Sequence, residues 1–420
     1  MTYSEKMLDQ LQDGQLAAAR GTFRQALAND DDEMLFSLGE ELYGMGFLSE
    51  ARRVYLTLLQ RYPDEDELRT NLATIAIDEG HNDEALSYLA QVQPDSPAYL
   101  ESLLVAADLY QTEEEFEITE QKLREAYQLA SDEPAVEFAC GEFYFLVGRF
   151  DEAIRYYFDL IKHGYTDFAK VDIAGRLGMC YAQSGQFKQA LGYLQQVKSA
   201  YRTSDIRFQT GLTELYLGQV DPAIKTLQEL IKDDAQYASA YPALAQALVK
   251  QNKYQQALQV VQEGLGVDQY NEHLYAQAAE IVSHLGNAKL MRKYLTKAHE
   301  LDPDNLTITL QFSNFLLHQH DDQENVDLLS PLVDEDEVDP QINWNLARSY
   351  QRLEQFDQAG KYFQAAAPTY QDNQLFLKEL IGFYQETGQR EQLLAALHSY
   401  LTLEPADTEM QELLDEYEEF

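Results

Sequence analysis

The sequence predicts an all-α solenoid, in which short helix pairs stack one after another and share a long core. Two observations carry that reading. A small residue followed by Phe or Tyr and then Ala recurs every 34 residues along nearly the whole chain, and a period in this range marks stacked supersecondary units. Glycine also returns at one place in the period, at Gly148, Gly185, Gly218, Gly286 and Gly388, where it suits the end of a helix because it adopts a left-handed conformation without a Cβ clash.

Anchoring each repeat on the residue equivalent to Ala153 gives Ala51, Ala85, Thr119, Ala153, Ala190, Ala223, Ala257, Met291, Asn325, Ala359 and Leu393. Every step is 34 except 153 to 190, which is 37, and 190 to 223, which is 33. A half-like repeat precedes them (Gly14, Ala19, Phe23, Ala26), and an amphipathic segment with Met410, Leu413, Leu414 and Tyr417 follows Pro405. Within each repeat the first helix runs to the glycine. The second opens with acids, as at Asp83-Glu84 and Asp151-Glu152, or with Asp221-Pro222, all suited to a helix N-terminus. It closes near Pro63, Pro94 or Pro97, Pro134, Pro303 and Pro405.

The small residues have a packing cause. Gly141 and Ala153 fall where the two helices of a repeat approach most closely, and Tyr157 is expected to fill the seam to the next repeat. These residues are the point of resemblance. The repeat from Pro134, with Cys140, Gly141, Tyr144, Gly148, Phe150, Ala153 and Tyr157, resembles the unit of tetratricopeptide-repeat (TPR) proteins. The resemblance covers roughly residues 4–405 and implies a right-handed superhelix of about eleven to twelve repeats with a C-terminal capping helix. The all-repeat, acidic layout is similar to TPR proteins of Gram-positive bacteria.

Several repeats depart from the pattern. The third has Glu113-Glu114-Glu115 at the turn and Thr119 for Ala; the sixth has Glu214 where Tyr is expected; the eighth has Met291; the ninth has His320 and Asn325. Helices with less regular packing are expected there. The 37-residue step places three extra residues near Lys162-His163-Gly164-Tyr165. The expected organisation is a sub-array over 1–165, a second over 166–405, and a capping helix over 406–420.

Composition narrows the partners. The 420 residues are 45% hydrophobic and 11% aromatic, enough for a long core, with a formal net charge of −41. That field repels phosphate backbones and anionic lipid, so nucleic acid and direct membrane insertion are excluded as expectations. Only Cys140 and Cys180 occur, too few for a disulfide framework or a Cys-x-x-Cys metal site, and they read as buried hydrophobes in a reducing compartment. No apolar run approaches membrane-spanning length and no leader is apparent, so the expected location is cytoplasmic.

No Gly-rich phosphate loop, HExxH or GxSxG motif occurs, so no catalysis, metal or cofactor is expected. His318 and His320 with Asp321-Asp322 straddle a helix end and read as a polar turn. The acid runs Asp30 to Glu33 and Asp334 to Glu337 lack the spacing and central Gly of a calcium loop, and read as solvated turns.

The TPR resemblance implies that a groove is lined by the second, fifth, ninth, twelfth and thirteenth places of each first helix, which share one helical face. Early repeats place Glu33, Phe36, Glu40, Tyr43, Glu67, Asp78, Glu101, Asp108, Phe138, Glu142, Phe145, Asp172 and Asp205 there. Later repeats place Lys250, His273, His284, His318, Trp344, Arg348, Arg352 and Lys378. The early stretch is acidic and aromatic, the later one basic. Trp344 beside Arg348 and Arg352 is the sharpest spot, since Trp and Arg are frequent binding hot spots, and the two arginines are expected to contact an anion. Each aromatic could equally be a filler between repeats.

The expected function is a non-catalytic scaffold that binds a basic or amphipathic segment of a partner protein. Alternatives are a peptide-responsive regulator working through protein contacts, and a cytoplasmic assembly factor or co-chaperone. The co-chaperone carboxylate clamp is matched only by Asn314, Arg348 and Arg352. The repeats begin within the first 15 or so residues, which leaves no room for a preceding DNA-binding module. A monomer or weak homodimer is expected, with the terminal helix capping the last repeat.

Overall fold

The fold was analysed in a computed structural model, which describes residues 1–334 and 338–418. Residues 1–213 pack as one compact unit and the described residues from 214 onward as a second. The first holds α1 (Tyr3–Gln12), α2 (Leu16–Asn29), α3 (Asp32–Gly44), α4 (Leu48–Arg61), α5 (Asp66–Asp78), α6 (Asn82–Leu89), α7 (Tyr99–Thr112), α8 (Phe116–Leu129), α9 (Pro134–Leu146), α10 (Phe150–Lys162), α11 (Ile173–Gln183) and α12 (Phe187–Leu194). The division falls in α13 (Ser204–Tyr216). The second unit continues with α14 (Val220–Asp233), α15 (Ala240–Lys250), α16 (Tyr254–Val267), α17 (Glu272–His284), α18 (Ala288–Leu301), α19 (Leu306–Gln319), α20 (Asp322–Leu329), α21 (Pro340–Arg352), α22 (Phe356–Tyr370), α23 (Gln374–Glu386), α24 (Arg390–Leu403) and α25 (Thr408–Glu418).

Within each unit helices pair as the first and second helix of a repeat, α9 with α10 and α21 with α22 among them, and first helices also meet along the chain, as α5 meets α7 and α19 meets α21. The expected half repeat is a complete pair, α1 with α2. Its first helix was hidden because its N-terminal signal is side-chain capping. Thr2 Oγ1 accepts from the Glu5 amide, and Glu5 Oε2 accepts from the Thr2 amide at 2.7 Å.

Several first helices of the second unit start on one recurring device. Asn271, Asn305 and Asn373 accept from the amides of Leu274, Ile308 and Phe376, and Asp339 from that of Gln341, so each satisfies an otherwise orphaned donor. Helix ends follow the glycines, with φ of +76° at Gly148 and +73° at Gly185. Where glycine is missing the backbone keeps the same conformation, at Glu114 (φ +60°), Asn252 (+57°), His320 (+60°) and Glu354 (+58°).

The close approach within a repeat is literal. A Cβ on Gly141 would lie 2.7 Å from the Tyr157 ring, and one on Gly39 would lie 2.8 Å from Tyr55. Tyr157, fully buried, therefore fills the inside of its own repeat against Gly141. Its hydroxyl donates to Glu142 at 2.6 Å, and the ring belongs to a core cluster that also holds Leu177 and Cys180 of the next repeat.

The extra residues of the 37-residue step form a small hairpin inside the first unit, β1 (Asp167–Phe168) paired antiparallel with β2 (Val171–Asp172). Ala169 and Lys170 turn it with φ of +45° and +65°. Irregularity also appears where the sequence did not announce it, since α6 and α12 are only eight residues long. In the ninth repeat α20 is equally short, as expected from Asn325, and a 3₁₀ turn over Ser330–Asp334 follows it. Of the acid run there, the Asp334 side chain and Glu335, Asp336 and Glu337 lie outside the described residues. Helix α25 caps α24, laying Met410, Leu413, Leu414 and Tyr417 on a cluster that includes Leu393, Leu397 and Tyr400.

Candidate functional site

In the first unit the acidic residues expected on the first helices come together. Glu40 on α3, Glu67 on α5 and Glu101 on α7 all act electrostatically on the Tyr55 hydroxyl. Burial raises the Glu67 carboxyl, and repulsion from Glu101, Glu65 and Glu40 raises it further. Beside them, burial and a hydrogen bond to Asp78 push the Tyr43 phenol up to about 12. Asp108 is raised by burial and then by Asp78. Its side chain is reached by solvent while crowded by protein, the situation of a group on an inward-facing surface. Among the described residues no cation pairs with Glu40, Glu67, Asp78, Glu101 or Asp108. The Arg52 guanidinium, by contrast, is consumed by Glu79 and Glu84 on the second-helix side. Phe36 sits half-buried at the edge of this face, edge-on to Tyr55 at 5.8 Å.

Glu142, Phe145, Phe138 and Asp172 are engaged internally. Glu142 accepts both Nε and Nη2 of Arg176 at 2.7 Å besides the Tyr157 hydroxyl. Arg176 in turn lies over the Phe145 ring at 4.7 Å. Phe138 packs on Phe168 of the hairpin at 5.1 Å. Asp172 is 5% exposed and caps α11 by accepting from the Gly175 amide. These contacts turn the predicted face of α9 and α11 into a join between repeats.

In the second unit the sharpest sequence expectation changes. Trp344 is a filler between repeats, 8% exposed, with Tyr370 at 4.8 Å and Phe376 at 5.3 Å. Arg348 lies 3.3 Å from Glu379. Arg352 donates to the Leu317 carbonyl at 2.7 Å and pairs with Asp322 at 3.4 Å. Lys378 pairs with Asp407 at 2.9 Å, lies over the Tyr400 ring, and is raised by those contacts. The predicted cationic contacts are thus already neutralised by the protein's own acids, which a single sequence could not reveal because every partner lies 29–35 residues away in a neighbouring repeat. His284 stacks on Tyr254, whereas His318 is exposed and among the described residues has one polar contact, the Gln319 amide at 3.4 Å. The basic residues also extend beyond the first helices: Lys289, Lys293 and Lys297 line a cleft of about 1150 Å³ with α16, and they recur every four residues on the second helix α18.

The nucleophiles are quiet. Cys140 and Cys180 are buried and free, and burial pushes both thiols up to about 12. No helix among the described residues is long and apolar enough to cross a membrane.

Comparison with known proteins places the repeats. Residues 340–407 match the YpiA-like C-terminal tetratricopeptide-repeat family and residues 111–165 the YpiA-like tetratricopeptide-repeat family. Residues 36–99, 208–272 and 176–204 match general tetratricopeptide-repeat families. Among solved structures, the C-terminal part of a TPR repeat-containing protein from Cytophaga hutchinsonii is 14% identical, with a TM-score of 0.43 over 65% of this chain and 97% of that one. YrrB, described as a TPR protein with an unusual peptide-binding site, is 16% identical, with a TM-score of 0.38 over 44% of this chain and 95% of that one. The TPR repeat-containing protein YpiA of Bacillus subtilis strain 168 is 31% identical over 387 residues, 92% of this chain and 90% of that protein. The chain therefore belongs to the YpiA-like family of tetratricopeptide-repeat proteins.

Proposed function

We propose that this protein is a non-catalytic, cytoplasmic interaction scaffold that holds a basic or amphipathic segment of a partner protein along the first-helix face of α3, α5 and α7. The carrying observation is the set of carboxylates on that face, Glu40, Glu67, Asp78, Glu101 and Asp108, which share one surface without a cation. Their mutual repulsion is relieved by a cationic partner, so binding gains from the strain that the free protein carries. Phe36 and Tyr43 supply apolar area beside the charges. The thiols, held protonated by burial, support the non-catalytic part of the reading. The −41 charge disfavours close self-association and fits a monomer or weak dimer.

The test is fluorescence anisotropy with a labelled Lys/Leu amphipathic peptide, comparing wild type with Glu40→Lys/Glu67→Lys/Glu101→Lys. At about 0.5–1 kcal/mol per reversed exposed charge, affinity should fall at least tenfold and the salt dependence should flatten. Equal affinity for both proteins would sink the assignment.

A further inference from the structure

The repeat supplies its own control, and one repeat lacks a side chain that its neighbours have. Tyr254, the first residue of α16, stacks on His284, the last residue of α17, with ring centroids 4.4 Å apart and planes 13° from parallel. Two repeats later the same places are Asp322, which opens α20, and Arg352, which ends α21; these form an ion pair at 3.4 Å. In both cases the residue that opens a second helix reaches across to the next first helix. Between them stands the pair Ala288 and His318, each 34 residues from its counterparts on either side. A methyl group cannot span that distance. A cavity of about 530 Å³ opens instead, lined by Ala288, Met291, Leu295, Asn314, Phe315 and His318 among others.

The cavity has the make-up of a site. Its floor is apolar, from Met291, Leu295 and the buried Phe315, and its volume lies within the usual range for ligand pockets. The exposed His318 ring presents a face without a stacking partner among the described residues, although the equivalent ring of His284 has one. Glu280 stands at the rim, and among the described residues no cation pairs with its carboxylate.

We propose that this cavity receives an aromatic side chain, tyrosine or phenylalanine, from a partner segment that carries a lysine or arginine beside it. The ring lies on His318 as Tyr254 lies on His284, with its edge against Met291 and Phe315, and the neighbouring cation meets Glu280. The aromatic gains both buried area and ring-on-ring contact, and the flexible Met291 adapts to it. This rests on the reading of the chain as a protein-binding scaffold and adds a contact separate from the acidic face of the first unit.

The experiment uses the full chain with labelled histidines and follows the ring C–H resonances, His318 being assigned with His318→Gln. The probe is an Arg-Tyr-Arg tripeptide with blocked ends. The expected result is a ring-current shift of the His318 signal, with a much smaller change at His284. Arg-Ala-Arg binds at least tenfold more weakly, as does Arg-Tyr-Arg to His318→Gln, whose exposed position leaves the melting temperature unchanged. Ala288→Tyr supplies the ring from within: it raises the melting temperature, moves the His318 signal before any ligand is added, and abolishes the response to the tripeptide. A His318 signal that Arg-Tyr-Arg leaves in place, or an Ala288→Tyr protein that responds like wild type, overturns the site. A response to adenosine matching that to the tripeptide overturns the peptide assignment. The Lys/Leu peptide of the first unit is titrated into the same samples. Its binding should survive Ala288→Tyr, so failure of the acidic face and failure of the cavity are read separately.

Discussion

The indole nitrogen of Trp344 on α21 donates a 2.7 Å hydrogen bond to Glu379 on α23, and the other oxygen of that carboxylate lies 3.3 Å from Arg348. One acid thus holds the tryptophan and the arginine that the sequence had offered as a binding pair, and fastens one repeat to the next. Replacing Trp344 with Ala should lower stability by about 3–5 kcal/mol, the usual consequence of removing a buried aromatic. Trp344→Phe should lower it less, through the lost hydrogen bond to Glu379, which keeps its ion pair with Arg348. Urea denaturation followed by circular dichroism measures both. A Trp344→Ala protein as stable as wild type would return the residue to the surface.

The acidic face makes a pH signature. Because burial and like charges raise Asp108 above its ordinary value, the folded state holds that proton more tightly than the unfolded chain does. Its contribution to stability is fully present below the unfolded value of about 3.9 and is lost as pH rises through the higher folded value. Asp108→Asn should therefore melt higher than wild type at pH 7.5, and the gap should close as the pH falls toward 4. A gap that widens on acidification would mean that the carboxylate is paired.

Gly141 is a position of contact. Gly141→Val would drive its branched side chain into the Tyr157 ring, already 2.7 Å from a Cβ. Overpacking of this kind destabilises by about 1–3 kcal/mol. A compensating Tyr157→Leu in the same chain should recover part of that loss, and thermal melts of the single and double variants would show whether the two residues are coupled.

At Glu354 the backbone is left-handed at φ +58° with an exposed side chain. Glu354→Gly removes the Cβ clash, worth roughly 1–2 kcal/mol, against a smaller entropic penalty in the unfolded chain. A net gain of about 0.5–1 kcal/mol is expected, read from the denaturation midpoint. A loss of stability would show that the turn draws on the glutamate side chain.

Much of the fold was legible because its cause is local and periodic. Gly141 with Ala153 announces a close helix crossing, Gly148 and Gly185 announce helix ends, and each is visible within a single repeat. The first pair, α1 with α2, was half hidden because a capping box at Thr2 and Glu5 leaves little trace in an apolar pattern. The candidate face was legible only where nothing pairs with it. Glu40, Glu67 and Glu101 were found from place alone. Arg348, Arg352 and Lys378 occupy equally good places, but Glu379, Asp322 and Asp407 occupy them first, and pairing between repeats is a property of the stacked chain. The cavity at Ala288 was readable in principle, since Tyr254 and Asp322 bracket it at the same spacing, but it shows only when adjacent repeats are compared place by place.

The hairpin of Asp167 to Asp172 gives the array a place where its length can change. Its two strands pair only with each other, and Asp172 starts α11 whatever precedes the turn. Residues added between Ala169 and Lys170 would lengthen the ribbon without rotating the helices on either side. An epitope or fluorophore-binding tag inserted there should leave the melting curve unchanged, whereas the same tag placed after Gly141 should abolish folding. The hairpin is thus a natural port for attaching a label to a chain whose repeats otherwise follow one another at 33 or 34 residues.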